Sequence, residues 1–111
     1  MTIDRNQWVD QLDSVTRDHE GDDVTIEVLD SEWGDAHEAQ RMPFTYVNYD
    51  QKDDVVIIGV GGQSGSWPVV LRHMVWHPTE VSIAPAGDAT ALRITEQDGT
   101  VTLVTISPAS S

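Results

Sequence analysis

From Val24 onward the chain drops the 3.6-residue apolar rhythm of a helix, and hydrophobic residues return at every second position instead. No later segment can serve as a helical crossover. Parallel pairing therefore lacks a connection, and a sheet made from these residues is mostly antiparallel.

One helix precedes the strands. Trp8, Leu12, Val15 and His19 form a stripe at helical spacing, widened by Val9 and Thr16. Asp4 suits the N-cap, Gln7 completes a capping-box pattern, and Gly21 supplies a left-handed residue past the end. The helix is expected over about residues 4–20.

V-T-I-E-V at 24–28 alternates strictly, with Val24, Ile26 and Val28 on one face of a strand over about 24–29. A weaker strand over about 38–49 contains Pro43, which confines it to an edge or splits it at a bulge. Further strands are expected at about 55–61, at 69–77 ended by Pro78, and at 80–84 before the PAGDA turn. The segment 90–106 reads as a hairpin about Asp98-Gly99. A two-residue type I′ loop there pairs Glu96 with Val101 and Ile94 with Leu103, placing Leu92, Ile94, Val101 and Leu103 on one face. The expected architecture is α+β: one N-terminal amphipathic helix on a mostly antiparallel sheet of about six strands, open or curled into a partial barrel. The 111 residues form a single domain, 1–111, by length.

Composition narrows the chemistry. With no cysteine, thiol nucleophiles, zinc–thiolate sites and redox dithiols are excluded. The opening MTIDRNQW is neither signal nor anchor, so the expected location is cytoplasmic. Nineteen acidic residues against six basic ones give a net charge of −13, which repels nucleic acid and anionic membranes. The acids are scattered and no run marks an acidic tail, which reads as general surface acidity rather than a decoy for a basic partner. Self-repulsion at that charge predicts a thermal midpoint that rises from dilute buffer to molar salt; a flat midpoint contradicts it.

VVIIGVGGQSGSWP at 55–68 is the strongest hint of a cofactor. A dinucleotide fingerprint needs a third glycine where Ser64 stands, and then a helix; SWPVVL follows instead, and no Gly-Lys-Ser/Thr closes a P-loop. The expectation is no cofactor. Gly59 and Gly61 then lie in or beside a strand, close to Trp8, Trp67 or another bulky group, and Gly62–Ser66 form a flexible turn.

HMVWH at 73–77 lacks the glutamate of a zinc-binding helix. On a strand, His73 and His77 share a face with Val75 but stand roughly 13 Å apart, too far for one metal. Further ligands would have to come from His19, His37 or the acids, with no spacing to recommend them, and no metal is expected. No Gly-x-Ser-x-Gly elbow is present, and no catalytic residue is assigned. The candidates for ligand binding are Trp67, His73, Trp76 and Tyr46, of which Trp67, Trp76 and His73 would line a cleft between helix and sheet.

Several motifs carry a family resemblance: Trp8, His19-Glu20-Gly21, the V-T-I-E-V strand, Val60-Gly61-Gly62, His73, His77-Pro78-Thr79 and the A-L-R-I-T-E-Q-D-G-T-V-T-L hairpin. The chain resembles a family of small uncharacterised bacterial and archaeal proteins, a domain of unknown function. Where a tryptophan is expected after His-Glu-Gly, Asp22 stands. The resemblance implies a shared fold and no activity. The functional expectation is a non-enzymatic module acting on an unknown protein partner or as a homodimer. A small-ligand-binding module is the second reading, and a His73-based hydrolase or isomerase the third.

Overall fold

A computed structural model describes residues 1–30, 34–61 and 71–108, side chains at 34–41 excepted. The elements are β1 (Thr2–Ile3), a 3-10 turn (Arg5–Gln7), α1 (Trp8–His19), β2 (Asp23–Asp30), β3 (Gly34–Asp50), β4 (Val55–Val60), β5 (Leu71–Trp76), β6 (Pro78–Ala86), β7 (Ala89–Glu96) and β8 (Val101–Ser107). The strands form one eight-stranded sheet in the order β1-β6-β7-β8-β2-β3-β4-β5, rather than about six strands. The two-residue β1 is too short to carry a pattern, and the C-terminal hairpin contributes two strands. Every described neighbour pair is antiparallel.

The order forces curvature. β5 ends the sheet on one side and β6 is next to last on the other, yet a single residue, His77, joins them. Consecutive Cα atoms stand only about 3.8 Å apart, so the sheet rolls until its ends approach each other there, without a ladder joining β1 to β5 among the described residues. Pro78 opens β6 instead of ending the preceding strand. It is tolerated as a first residue because its missing N–H breaks no ladder bond.

The helix lies on the inner face. Trp8, Leu12 and Val15 are buried against a cluster that includes Val24, Ile26, Val47, Ile58, Leu92 and Val104. The expected capping box is absent: Asp4 makes no side-chain cap, and its carbonyl accepts the Gln7 N–H at 2.8 Å in a 3-10 turn that precedes the α-helix proper. Gly21 is left-handed as expected, at φ +91°.

Pro43 marks a handover in β3. Residues up to Pro43 pair with β2, and those from Phe44 pair with β4. Beyond that point the helix and its C-terminal turn cover the vacated edge. Gly21 N–H reaches the Phe44 carbonyl (2.8 Å), Phe44 N–H reaches the Asp22 carbonyl (2.7 Å), and Thr16 Oγ1 accepts the Val47 N–H (3.0 Å). A polar stripe residue thus serves as a strand partner and blunts an open edge.

The C-terminal hairpin is shifted by one residue from the expected register. Thr95 pairs with Val101, Ile94 with Thr102 and Leu92 with Val104. Glu96 O accepts the Gly99 N–H at 2.9 Å, and Gly99 is left-handed at φ +93°. That is a three-residue loop with a glycine bulge rather than a two-residue type I′ turn. One residue of slip turns a strand over. Thr102, Val104 and Ile106 therefore share the inner face with Leu92 and Ile94, while Leu103 is half-buried and Val101, though buried, lies on the other face. Thr102 brings a buried hydroxyl with no hydrogen-bond partner. Thr102→Val is expected to raise stability by about 1 kcal/mol, because a buried unpaired hydroxyl costs roughly 1–3 kcal/mol; a urea midpoint that falls refutes it.

Gly59 and Gly61 lie in and beside a strand, as the sequence implies. Gly59 lies within β4 opposite Tyr46, and Gly61 follows at φ +93° with its N–H on the Pro43 carbonyl (2.8 Å). The bulge belongs to β3, between Phe44 and Tyr46, and not to the glycines. Gly62–Ser66 and Trp67 fall outside the described residues.

Candidate functional site

The corner that joins the two ends of the sheet gathers the densest polar network among the described residues. Asp54 closes the β3–β4 turn and His77 makes the β5–β6 corner. Both are non-glycine residues with left-handed backbones, φ 54° and 53°. Aspartate and histidine are among the residue types that enter this region most readily. His77 N–H donates to the Asp54 carbonyl at 2.8 Å, and its Nδ1 lies 3.2 Å from Asp54 Oδ2. Tyr49 donates its hydroxyl to Asp54 Oδ1 at 2.7 Å. Arg5, from the 3-10 turn, donates to Tyr49 Oη (3.1 Å), to Asp54 Oδ1 (3.5 Å) and to the Pro78 carbonyl (3.0 Å).

The network rests on the helix anchor. The Arg5 guanidinium carbon sits 4.3 Å above the Trp8 ring, and Trp8 meets Tyr49 edge-on at a centroid distance of 5.0 Å. Electrostatics follow from these contacts. The Tyr49 hydrogen bond, then that of His77, holds the Asp54 carboxyl below the usual carboxylate range. Burial, then the Asp54 carboxylate, pushes the Tyr49 hydroxyl up. A depressed folded-state pKa stabilises the fold above the unfolded value, and that contribution is lost as pH falls through the folded pKa. Asp54→Asn, which tolerates the left-handed backbone, is expected to lower stability by about 1–2 kcal/mol at pH 7. The gap to wild type should narrow as pH falls below 3.8. Urea midpoints of both proteins against pH check this, and a gap independent of pH contradicts it.

An open groove of about 340 Å³ adjoins His77, lined by Trp76, His77, Glu96, Gln97 and Asp98. A second, of about 430 Å³, lies at the Arg5 end among Arg5, Asn6, Tyr49 and Gln51. Burial first, and then Asp98 and Asp30, push the Glu96 carboxyl up.

The residues singled out by sequence are dispersed. Trp76 stands 46% exposed on the outer face of β5, beside Met74 at 40%. His73 is half-buried on β5 on the face of Val75, while His77 leaves that face because it turns the corner. Tyr46 lies on β3, its ring against Gly59. None of the groove's described lining residues comes from the helix, and Trp8, Leu12 and Val15 of the helix are buried in the core cluster. Among the described residues no three histidines or carboxylates gather as a metal site. The Arg5–Tyr49–Asp54–His77 network escaped sequence reasoning because its members stand up to 72 positions apart with no common spacing.

The chemistry of this corner is that of a clamp. Arg5 and Asp54 each bond both side chains and the backbone of the corner, fixing the N-terminal turn to both ends of the sheet. His77 Nδ1 faces Asp54, which orients the imidazole as a carboxylate orients a general base. No described nucleophilic hydroxyl lines the groove beside it. Among the described residues no helix is long and apolar enough to cross a membrane.

These features define a small α+β protein: a rolled antiparallel sheet carrying one helix and clamped at its seam. The chain belongs to DUF5335, a family of unknown function, which it matches over residues 1–111. It is similar to an uncharacterised protein of Aquifex aeolicus (strain VF5), with 29% identity over 108 residues, 96% of this chain and 91% of that protein. No solved structure matches it.

Proposed function

We propose that the chain is a non-catalytic cytoplasmic module that acts through protein contact, with the outer row of β5 as its contact surface. The observation that carries this is the pair of large apolar side chains left exposed there, Trp76 at 46% and Met74 at 40%, two positions apart on one face of a terminal strand. An exposed tryptophan at a sheet end is the kind of residue that dominates contact energetics. Sedimentation equilibrium from micromolar to millimolar concentration tests the reading. Association weakened by Trp76→Gln supports it. A monomer throughout, with no protein co-purifying stoichiometrically from the native host, overturns it.

The groove at Trp76 favours a second reading, a small-ligand module, since an aromatic wall and convergent polar groups are the usual lining of such sites. Mass spectrometry of gently purified protein separates the two, because only the ligand reading yields a retained small molecule.

A further inference from the structure

The main-chain groups of β5 divide by parity. His77 N–H donates to the carbonyl of Asp54, directly opposite it in the β4–β5 register, at 2.8 Å. Bonded and non-bonded pairs alternate in an antiparallel ladder, so Arg72, Met74 and Trp76 direct their N–H and C=O groups away from β4. Among the described residues β5 pairs with β4 alone and ends the sheet. The same three residues share its outer face, and all three are exposed.

Two further observations select an occupant for this edge. Arg72 forms no hydrogen bond or ion pair among the described residues, in a chain of net charge −13. Glu96 lines the groove with Trp76 and Asp98 and forms no ion pair among the described residues. Among the described residues the chain thus displays an unpaired cation and, four residues further along the same strand face, an aromatic wall beside the carboxylates of Glu96 and Asp98.

We propose that the partner is a second copy of this chain, paired antiparallel through β5 about a two-fold axis at Met74; this rests on the contact reading above. A two-fold axis there sets Met74 opposite its own copy and Arg72 opposite Trp76 of the second molecule, twice. Directly opposed side chains in an antiparallel pair share a face. Each Arg72 guanidinium therefore lies against the indole of the other copy's Trp76, with the groove carboxylates of Glu96 and Asp98 beside it. Cation–π contact and charge pairing act together there. Glu96 receives the incoming guanidinium, and the outward Trp76 N–H enters the new ladder.

A symmetric contact is self-complementary by necessity, and this strand satisfies the condition in one register only: Arg72 to Trp76 about Met74. Long-range repulsion between two copies of charge −13 opposes the approach. Association therefore strengthens from dilute buffer to about 0.15 M salt as that repulsion is screened.

The absence of native cysteine makes the register directly readable. Under mild oxidation Met74→Cys is expected to give a covalent dimer, since directly opposed strand residues stand about 5.5 Å apart at Cα, within disulfide reach. Arg72→Cys and Trp76→Cys are each expected to stay uncrosslinked alone and to form a heterodimer when mixed, because like positions lie about 13 Å apart in this register. In sedimentation, Arg72→Glu should weaken association at least tenfold, and Arg72→Glu with Glu96→Arg should restore most of it. A dimer that crosslinks through Arg72→Cys alone, or whose charge swap fails to rescue, overturns this pairing while leaving protein contact intact. A monomeric chain that retains a different protein through Trp76 does the same. A monomer without any partner removes both.

Discussion

Trp8→Ala is expected to lower stability by about 3–5 kcal/mol, the range for truncating a buried tryptophan. The side chain is 1% exposed and heads the helix stripe together with Leu12 and Val15. Its loss acts on three contacts at once. The Ile3 carbonyl loses the indole N–H at 3.1 Å, the Arg5 guanidinium loses the ring 4.3 Å beneath it, and Tyr49 loses its edge-on neighbour. Arg5 and Tyr49 are half of the corner network, so the damage should reach the seam of the sheet and not only the helix. Against a typical total of about 5–15 kcal/mol, the variant is left marginal. Trp8→Phe keeps a ring for Arg5 and Tyr49 and drops only the indole donor and some volume; its loss should be about 1–2 kcal/mol. Urea titrations followed by circular dichroism check both variants. A loss below 1 kcal/mol for alanine would mean that the helix is not anchored through this residue.

Gly59→Ala is expected to cost about 1–3 kcal/mol, the usual range for overpacking. A Cβ at this position would lie 2.8 Å from Tyr46 Cδ2 and Cζ and nearer still to Cε2, so the ring must leave its place over the strand. Backbone freedom is not the reason here, because Gly59 is an ordinary member of β4 paired with both β3 and β5. The distinction is testable. Combined with Tyr46→Ala, the glycine substitution should lose most of its effect, giving a coupling of about 1 kcal/mol or more between two residues in direct contact. Additive losses would place the strain elsewhere. The glycine-rich stretch that most suggests a phosphate loop thus contains a glycine with a steric task, making room for an aromatic ring.

How much of this was legible beforehand differs by element. The helix stripe could be read at Trp8, Leu12 and Val15 because helical periodicity is a local property and burial followed it. The cap could not, since Asp4 had two ways to end the chain's extended start and the structure uses its backbone carbonyl. The hairpin shows the limit most clearly. Asp98-Gly99 announces a turn, but a two-residue and a three-residue loop differ little in local energy. The register is decided by which face of β8 turns to the core, and β8 pairs with β2 so that Val24 stands opposite Ile106 and Ile26 opposite Val104. The site was less legible still. Trp76 and His77 were singled out as residue types, while Arg5, Tyr49, Asp54 and Glu96 carried no signal of their own.

The sequence by itself determined the class of fold. One amphipathic helix followed only by period-two segments leaves an antiparallel sheet as the way to satisfy the backbone, and the lack of cysteine removes thiol chemistry. Only the tertiary structure decided that the sheet rolls until β5 and β6, at opposite ends of the strand order, meet at His77. Strand order and curl depend on pairings between distant segments and on how the inner faces fill, and no local pattern encodes either. That roll draws Arg5, Tyr49, Asp54 and His77 into one clamp, and it leaves Arg72, Met74 and Trp76 along a terminal strand.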